Sequence, residues 1–137
     1  MNNFVRLTLL VLITTSLGFV GKCNKSIDMQ VAPGFPAATG RVKVSKDKNE
    51  NTIAELTVKN LAPPERLTPP QQYYVVWLQP PGRFPENRGQ LLLDSKLSGK
   101  KAVTTPHKEF DLYVTAETTI TGITPAGQEV MRASPRR

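Results

Sequence analysis

The chain has 137 residues, 39% of them hydrophobic, and carries 18 Lys and Arg against 11 Asp and Glu, a formal net charge of +7. That length supports one hydrophobic core and not comfortably two. A single cysteine excludes an intrachain disulfide, a single histidine beside it leaves too few ligands for a protein zinc site, and basic residues scattered without a dense run speak against a nucleic-acid reader.

Met1 to Arg6 is a short polar segment with one positive charge, and Leu7 to Val20 (LTLLVLITTSLGFV) is apolar apart from a Thr/Ser cluster. This is the n-region and h-region pattern of a secretory signal. The apolar run is shorter than the ~20 residues that span a bilayer, so a cleaved helical signal over residues 1–22 is the first reading and a retained anchor the second. Ser16-Leu17-Gly18 and Gly21 offer small residues for cleavage. Val20-Gly21-Lys22-Cys23 partly resembles the lipobox of bacterial lipoproteins, in which the cysteine thiol is acylated, although Lys22 stands where a small residue is usual. Two readings of Cys23 follow: an acylated membrane attachment, or, better supported, a residue at the cleavage point with no structural role. Both place the protein outside the cytoplasm, in the bacterial periplasm or cell envelope. The exported part keeps 16 basic against 11 acidic side chains, because residues 1–22 hold only Arg6 and Lys22.

Residues 23–38 read as a flexible lead-in, with Asp28–Val31 as a short edge strand before Pro33, Gly34 and Pro36 forbid a longer element. A domain over residues 39–137 follows. Gly40–Lys46 sets Val42 and Val44 against Arg41, Lys43 and Ser45, and Ile53–Lys59 sets Ala54, Leu56 and Val58 against Glu55, Thr57 and Lys59. Two alternating runs joined by Asp47-Lys48-Asn49-Glu50-Asn51 predict a hairpin with one wet face. The same five residues match the start of an EF-hand calcium loop, but Thr52 stands where its glycine belongs and Val58 where its bidentate glutamate belongs. The turn reading is the stronger.

Leu61–Gln72 (LAPPERLTPPQQ) is a proline-rich surface crossing. It delivers the chain to Tyr73-Tyr74-Val75-Val76-Trp77-Leu78, apolar on both faces and bracketed by prolines, which predicts a central strand needing cover on both sides. The 42–58 hairpin and the 110–116 strand are the expected cover, and Trp77 is expected in the core. Pro80–Arg88 reads as a loop in which Arg83 and Arg88 flank Phe84, a candidate site for a carboxylate or a sugar ring. Gly89–Asp94 predicts a strand with Leu91 and Leu93 inward, Lys100–Thr105 another, and Glu129–Ala133 a closing one. Phe110–Glu117 alternates most cleanly, with Phe110, Leu112, Val114 and Ala116 on one face. The predicted core is Val42, Val44, Leu56, Val58, Val75, Trp77, Leu112 and Val114. Seven or eight short strands with Pro/Gly loops predict an all-β, antiparallel, immunoglobulin-like sandwich.

Catalysis finds no support in the residues. His107 sits alone in a loop, Cys23 lies at the signal boundary, and no G-x-S-x-G elbow presents a serine. Glu55, Asp94, Asp111 and Glu117 fall at positions where alternation predicts solvated surface. No cofactor and no metal site are expected, and the chain reads as non-enzymatic.

Tyr74-Val75-Val76-Trp77-Leu78 followed by Gly82 and Gly89, Val114-Thr115-Ala116-Glu117, and Pro125-Ala126-Gly127 with Val130 together resemble the C-terminal, extracytoplasmic domain of the anti-sigma-K factor family, over residues 39–133. The chain lacks the proline usual after the glutamate and the glycine pair that follows it. The resemblance implies an extracytoplasmic β-sandwich that senses or gates. It does not carry over the cytoplasmic sigma-binding domain, for which six residues before the apolar run leave no room. The expected function is an exported or envelope-associated binding module that meets an envelope or membrane protein. A stand-alone sensor related to anti-sigma factors is the alternative, and a small hydrolase or carbohydrate-active protein a third.

Overall fold

Residues 24–136 are described by the computed structural model. The signal segment expected over residues 1–22, and Cys23, lie outside the described residues. Among the described residues, nine strands and one short 3-10 turn at Pro64–Arg66 account for the regular structure. The strands are β1 (Lys25–Asp28), β2 (Gln30–Val31), β3 (Thr39–Lys46), β4 (Thr52–Lys59), β5 (Tyr73–Gln79), β6 (Glu86–Leu91), β7 (Gly99–Thr105), β8 (Asp111–Glu117) and β9 (Gln128–Ala133). They form two antiparallel sheets, ordered β1-β3-β4-β7 and β2-β9-β8-β5-β6.

The period-two pattern of β3 and β4 decides which way each residue faces. Val42 pairs with Leu56 and Val44 with Ala54, and all four are buried together with Val58. Arg41, Lys43 and Glu55 point outward and are exposed. The turn between the two strands is held by Asp47, whose carboxylate accepts from the backbone N–H of Asn49 at 2.8 Å and of Asn51 at 2.9 Å, while the Asn51 side-chain amide donates to it at 3.0 Å. These bonds favour the charged carboxylate, so its pKa lies below the ordinary value, the Asn51 side-chain bond contributing most. The residues that mimic the start of a calcium loop are thus spent on their own backbone.

In the second sheet, Tyr74, Val76 and Leu78 of β5 face the first sheet and share its core with Phe110, Leu112 and Val114. The predicted core residues are all buried, but Trp77 is not in that core. It lies with Val75 and Tyr113 in a separate cluster on the outer face of the five-stranded sheet. The reason is the alternation itself: a strand apolar at every position puts Trp77 opposite in direction to Val76 and Leu78. The expected cover is therefore revised. The β3–β4 hairpin covers the inner face of β5, whereas β8 is its hydrogen-bonded neighbour in the same sheet, pairing Trp77 with Tyr113. Cover on the outer face comes from the loop 118–127, where a Cβ on Gly122 would stand 3.9 Å from the indole. Asn87 fixes this loop by donating to the Ile120 carbonyl at 2.9 Å and the Gly122 carbonyl at 2.8 Å.

Two strands, Lys25–Asp28 and Gln30–Val31, stand where the lead-in was expected to hold one short edge strand at Asp28–Val31, which brings the strand count to nine among the described residues. The chain pairs with β3 through β1, then crosses at Met29 and pairs with β9 through β2. The Met29 N–H donates to the Gly40 carbonyl at 2.8 Å, and the residue is buried. The strand expected at Gly89–Asp94 is displaced to Glu86–Leu91 because the ladder carries a bulge between Val75 and Trp77. Gly89, at a φ of +89, supplies the backbone conformation such a bulge needs. Arg88 is consequently a strand residue and not part of the loop.

Connectivity sorts the loops between two ends of the sandwich. The turn 47–51, the hairpin loop 80–85 and the link 106–110 share one end, as the pairings of Lys46 with Thr52, Thr52 with Thr105, and Gln79 with Asp111 require. Both limits of the described chain meet there: Lys25 Nζ donates to the Arg136 carbonyl at 3.2 Å, and Phe110 N–H to that of Pro135 at 3.3 Å.

Candidate functional site

The outward positions of β3, β4 and β7 form a single surface. Register places Arg41, Thr57 and Lys100 in one row across the three strands, Lys43, Glu55 and Ala102 in the next, and Thr39 beside Lys59 in a third. Strands lie about 4.8 Å apart and same-face neighbours along a strand about 7 Å apart. Arg41, Lys43, Lys59 and Lys100, drawn from three separate stretches of sequence, therefore fall on one flat patch. Two open grooves cross it. One, of about 550 Å³, is bounded by Asp28, Thr39, Arg41, Thr57 and Lys59. The other, of about 380 Å³, is bounded by Ser26, Arg41, Lys43, Glu55, Thr57 and Lys100.

Asp28 forms an ion pair with Arg41 at 2.8 Å, with both side chains largely in solvent, so the pair contributes little to stability. Among the described residues no ion pair engages Lys43, Lys59 or Lys100. Three ammonium groups, one guanidinium and the hydroxyls of Thr39 and Thr57 thus face water together, with the single exposed carboxylate of Glu55 opposite Lys43. Such a surface suits an extended ligand with repeated negative charges and hydroxyls. Sequence reading saw these residues only as a hairpin's wet face, since the pairing of β4 with β7 that adds Lys100 is a long-range contact.

Arg83, Phe84 and Arg88 are not assembled into a clamp. Arg83 and Phe84 sit in the hairpin loop, where Phe84 is 88% exposed and does not fold back on the core. Arg88 lies in β6, partly buried and ion-paired to Glu86, with its Nε buried and without a partner.

The outer face of the five-stranded sheet is occupied by its own contacts. The Trp77 indole N–H donates to the Thr115 hydroxyl at 2.8 Å, and that hydroxyl donates to Glu117 at 2.5 Å. The Ala126 N–H closes the loop onto the same carboxylate at 3.1 Å and 3.3 Å. Glu117 is therefore buried, at 4% exposure, and not the solvated residue its alternation suggested; the loop 118–127 that covers Trp77 covers it too. Arg132 stacks on Tyr113, 4.1 Å from the ring centre, and binds both Glu129 and Asp111. The Glu129 hydrogen bond raises the Arg132 pKa, and burial raises that of Tyr113 against the opposing pull of Arg132. With its donors shared between two carboxylates, Arg132 is a structural group. Among the described residues no three His, Cys, Asp or Glu side chains come together in a way that could hold a metal ion.

Comparison with known proteins adds no relative: no family model, no curated protein and no solved structure matches this chain.

Proposed function

We propose that the protein is a non-enzymatic, exported β-sandwich of immunoglobulin-like type that binds an extended acidic glycan across the outer face of its four-stranded sheet. The observation that carries this reading is the convergence of Arg41, Lys43, Lys59 and Lys100 on one patch with Lys43, Lys59 and Lys100 unpaired. Rows of cations about 7 Å apart match the repeat of an extended charged chain, and Thr39 and Thr57 between them offer donors and acceptors to sugar hydroxyls. The secretory pattern of residues 1–22 puts such polymers, and not nucleic acids, within reach.

Retention on an immobilised acidic polysaccharide at low salt tests the reading. The native protein is expected to be retained and to elute as salt rises. The double substitution Lys43→Glu and Lys100→Glu lies on exposed positions and should abolish retention. Equal retention of this variant, with an unchanged circular dichroism spectrum, would remove the patch from consideration. A stand-alone extracytoplasmic sensor is the second reading. It is favoured by the Tyr74–Leu78 and Val114–Glu117 motifs, and a membrane protein co-purifying in stoichiometric amount would support it.

A further inference from the structure

A third groove on the four-stranded sheet lies where its β7 edge meets the turn 92–98. It holds about 310 Å³ and is bounded by Thr57, Lys59, Leu92, Asp94, Ser98 and Lys100. Thr57 borders all three grooves of this face. It stands opposite Lys100 in the ladder, which makes Lys59 the diagonal neighbour of Lys100 on the same face. Such neighbours lie about 7–8 Å apart, within the joint reach of two long side chains. Among the described residues neither ammonium group is ion-paired. Leu92 comes from the other sheet, one residue beyond β6. Gly99 lets it approach, since a Cβ there would stand 2.6 Å from the Leu92 carbonyl oxygen. Asp94, the one carboxylate of the groove, holds its own turn: its Oδ1 accepts from the Lys96 N–H at 2.8 Å and the Ser98 N–H at 3.0 Å. Leu92 is 70% exposed. A lone exposed leucine is ordinary on a protein surface, but this one shares a groove with two unpaired cations and a hydroxyl.

We infer that this groove is a subsite for an acyl-substituted acidic sugar, with the sugar carboxylate between Lys59 and Lys100, a hydroxyl at Thr57 and the methyl of an acetyl group against Leu92. The inference rests on the reading of this face as a glycan surface and names the class of glycan it takes. A plain polyuronate would satisfy the two cations and leave Leu92 in water. A carboxylate with an acyl group close by engages both, and the burial of one methyl group supports a preference of about fourfold. Salt screens the attraction to exposed cations but not the apolar contact, so the preference outlasts the affinity as salt rises.

The test takes O-acetylated alginate and the same polymer after mild alkaline removal of its acetyl esters, which leaves its charge unchanged. Surface plasmon resonance gives the apparent Kd of the full chain on each immobilised polymer. A Kd about fourfold lower on the acetylated form, in low and moderate salt alike, is the expected result. Leu92→Ser should bring the two values together, and Lys59→Gln should weaken binding to both polymers severalfold. Phe84→Ser, at an exposed apolar position in the hairpin loop 80–85, controls for general loss of surface hydrophobicity and should keep the preference. Equal affinity of the native chain for the two polymers overturns the subsite and leaves the glycan reading standing. A preference that survives Leu92→Ser, or one that is lost in Phe84→Ser as well, has the same consequence. Binding to neither polymer overturns both.

Discussion

Trp77 is 1% exposed although it points away from the space between the sheets. Its burial depends on one loop and one hydrogen bond, so its removal has a distinct signature. Trp77→Ala should destabilise the fold by about 3–5 kcal/mol, and Trp77→Phe, which keeps most of the contact but drops the bond to Thr115, by roughly 1–2 kcal/mol. Urea unfolding measures both. Amides of the loop 118–127 should also exchange faster in Trp77→Ala, and unchanged exchange there would show that the loop does not rest on the indole. Tyr74, on the same strand but the opposite face, gives a pH test. Its hydroxyl donates to the Ala62 carbonyl at 2.6 Å, and burial, aided by the charge of Glu65, raises its pKa from 10.0 to about 12. The folded state therefore favours the protonated phenol. This stabilisation is complete below pH 10, is lost as pH rises through 12, and disappears when folded and unfolded forms both ionise. Thermal melts should fall across that window in the native protein. Tyr74→Phe should lose the step arising from this residue and cost about 0.5–1.5 kcal/mol at neutral pH.

Individual strands differ in how far their neighbours could be read from their residues. β3 and β4 alternate in burial, β8 is buried on both faces, and the limits of all three fall within one residue of the sequence expectation. β6 did not, because the bulge at Gly89 inserts a residue and breaks the pattern on which such reading depends. The face of Trp77 was equally hidden: Tyr73–Leu78 has no polar position to mark an outside, and only the folding of a distant loop makes one face outer. The crossing at Met29 was invisible for a third reason: Asp28–Val31 reads as one short edge strand, and so few residues carry too little period to show that the chain passes from one sheet to the other. The β8–β9 connection yields an element-level prediction. A Cβ at Gly127 would stand 1.6 Å from the Ala116 carbonyl oxygen, which is backbone and cannot turn aside. Gly127→Ala should therefore push β9 away from β8 near the Ala116–Gln128 pair and pull the Ala126 N–H from Glu117. A loss of about 2–4 kcal/mol is expected, at the upper range for single substitutions. Gly82→Ala, with no atom within 4 Å of its added Cβ but a φ of +68, should cost only about 1–2 kcal/mol of backbone strain. Comparing the two melts separates close approach from conformational strain.

At the scale of the molecule, sequence periodicity identified an all-β, two-sheet architecture but not the surfaces that the sheets present. Strand order brings Lys100 beside Thr57 and Arg41, and the turn 92–98 sets Leu92 in one groove with Lys59 and Lys100; neither grouping exists in one dimension. The same strand order predicts where the fold is strongest. β8 and β5 have neighbours on both sides and contribute both to the inter-sheet core and to the cover of Trp77. β3 and β4 are likewise flanked on both sides. β1, β2, β6 and β7 are edges, and their outer backbone groups meet water. In native-state hydrogen exchange, amides of β5 and β8 should open only by global unfolding, those of β3 and β4 should come close to this limit, and those of β1 and β2 should exchange by local opening at much lower cost. Because Met29 joins β1 in one sheet to β2 in the other, Met29→Ala should bring the exchange of residues 25–31 forward as a unit while β8 shifts only by the loss in global stability. Separate responses of β1 and β2 would show that the crossing does not couple the two sheets.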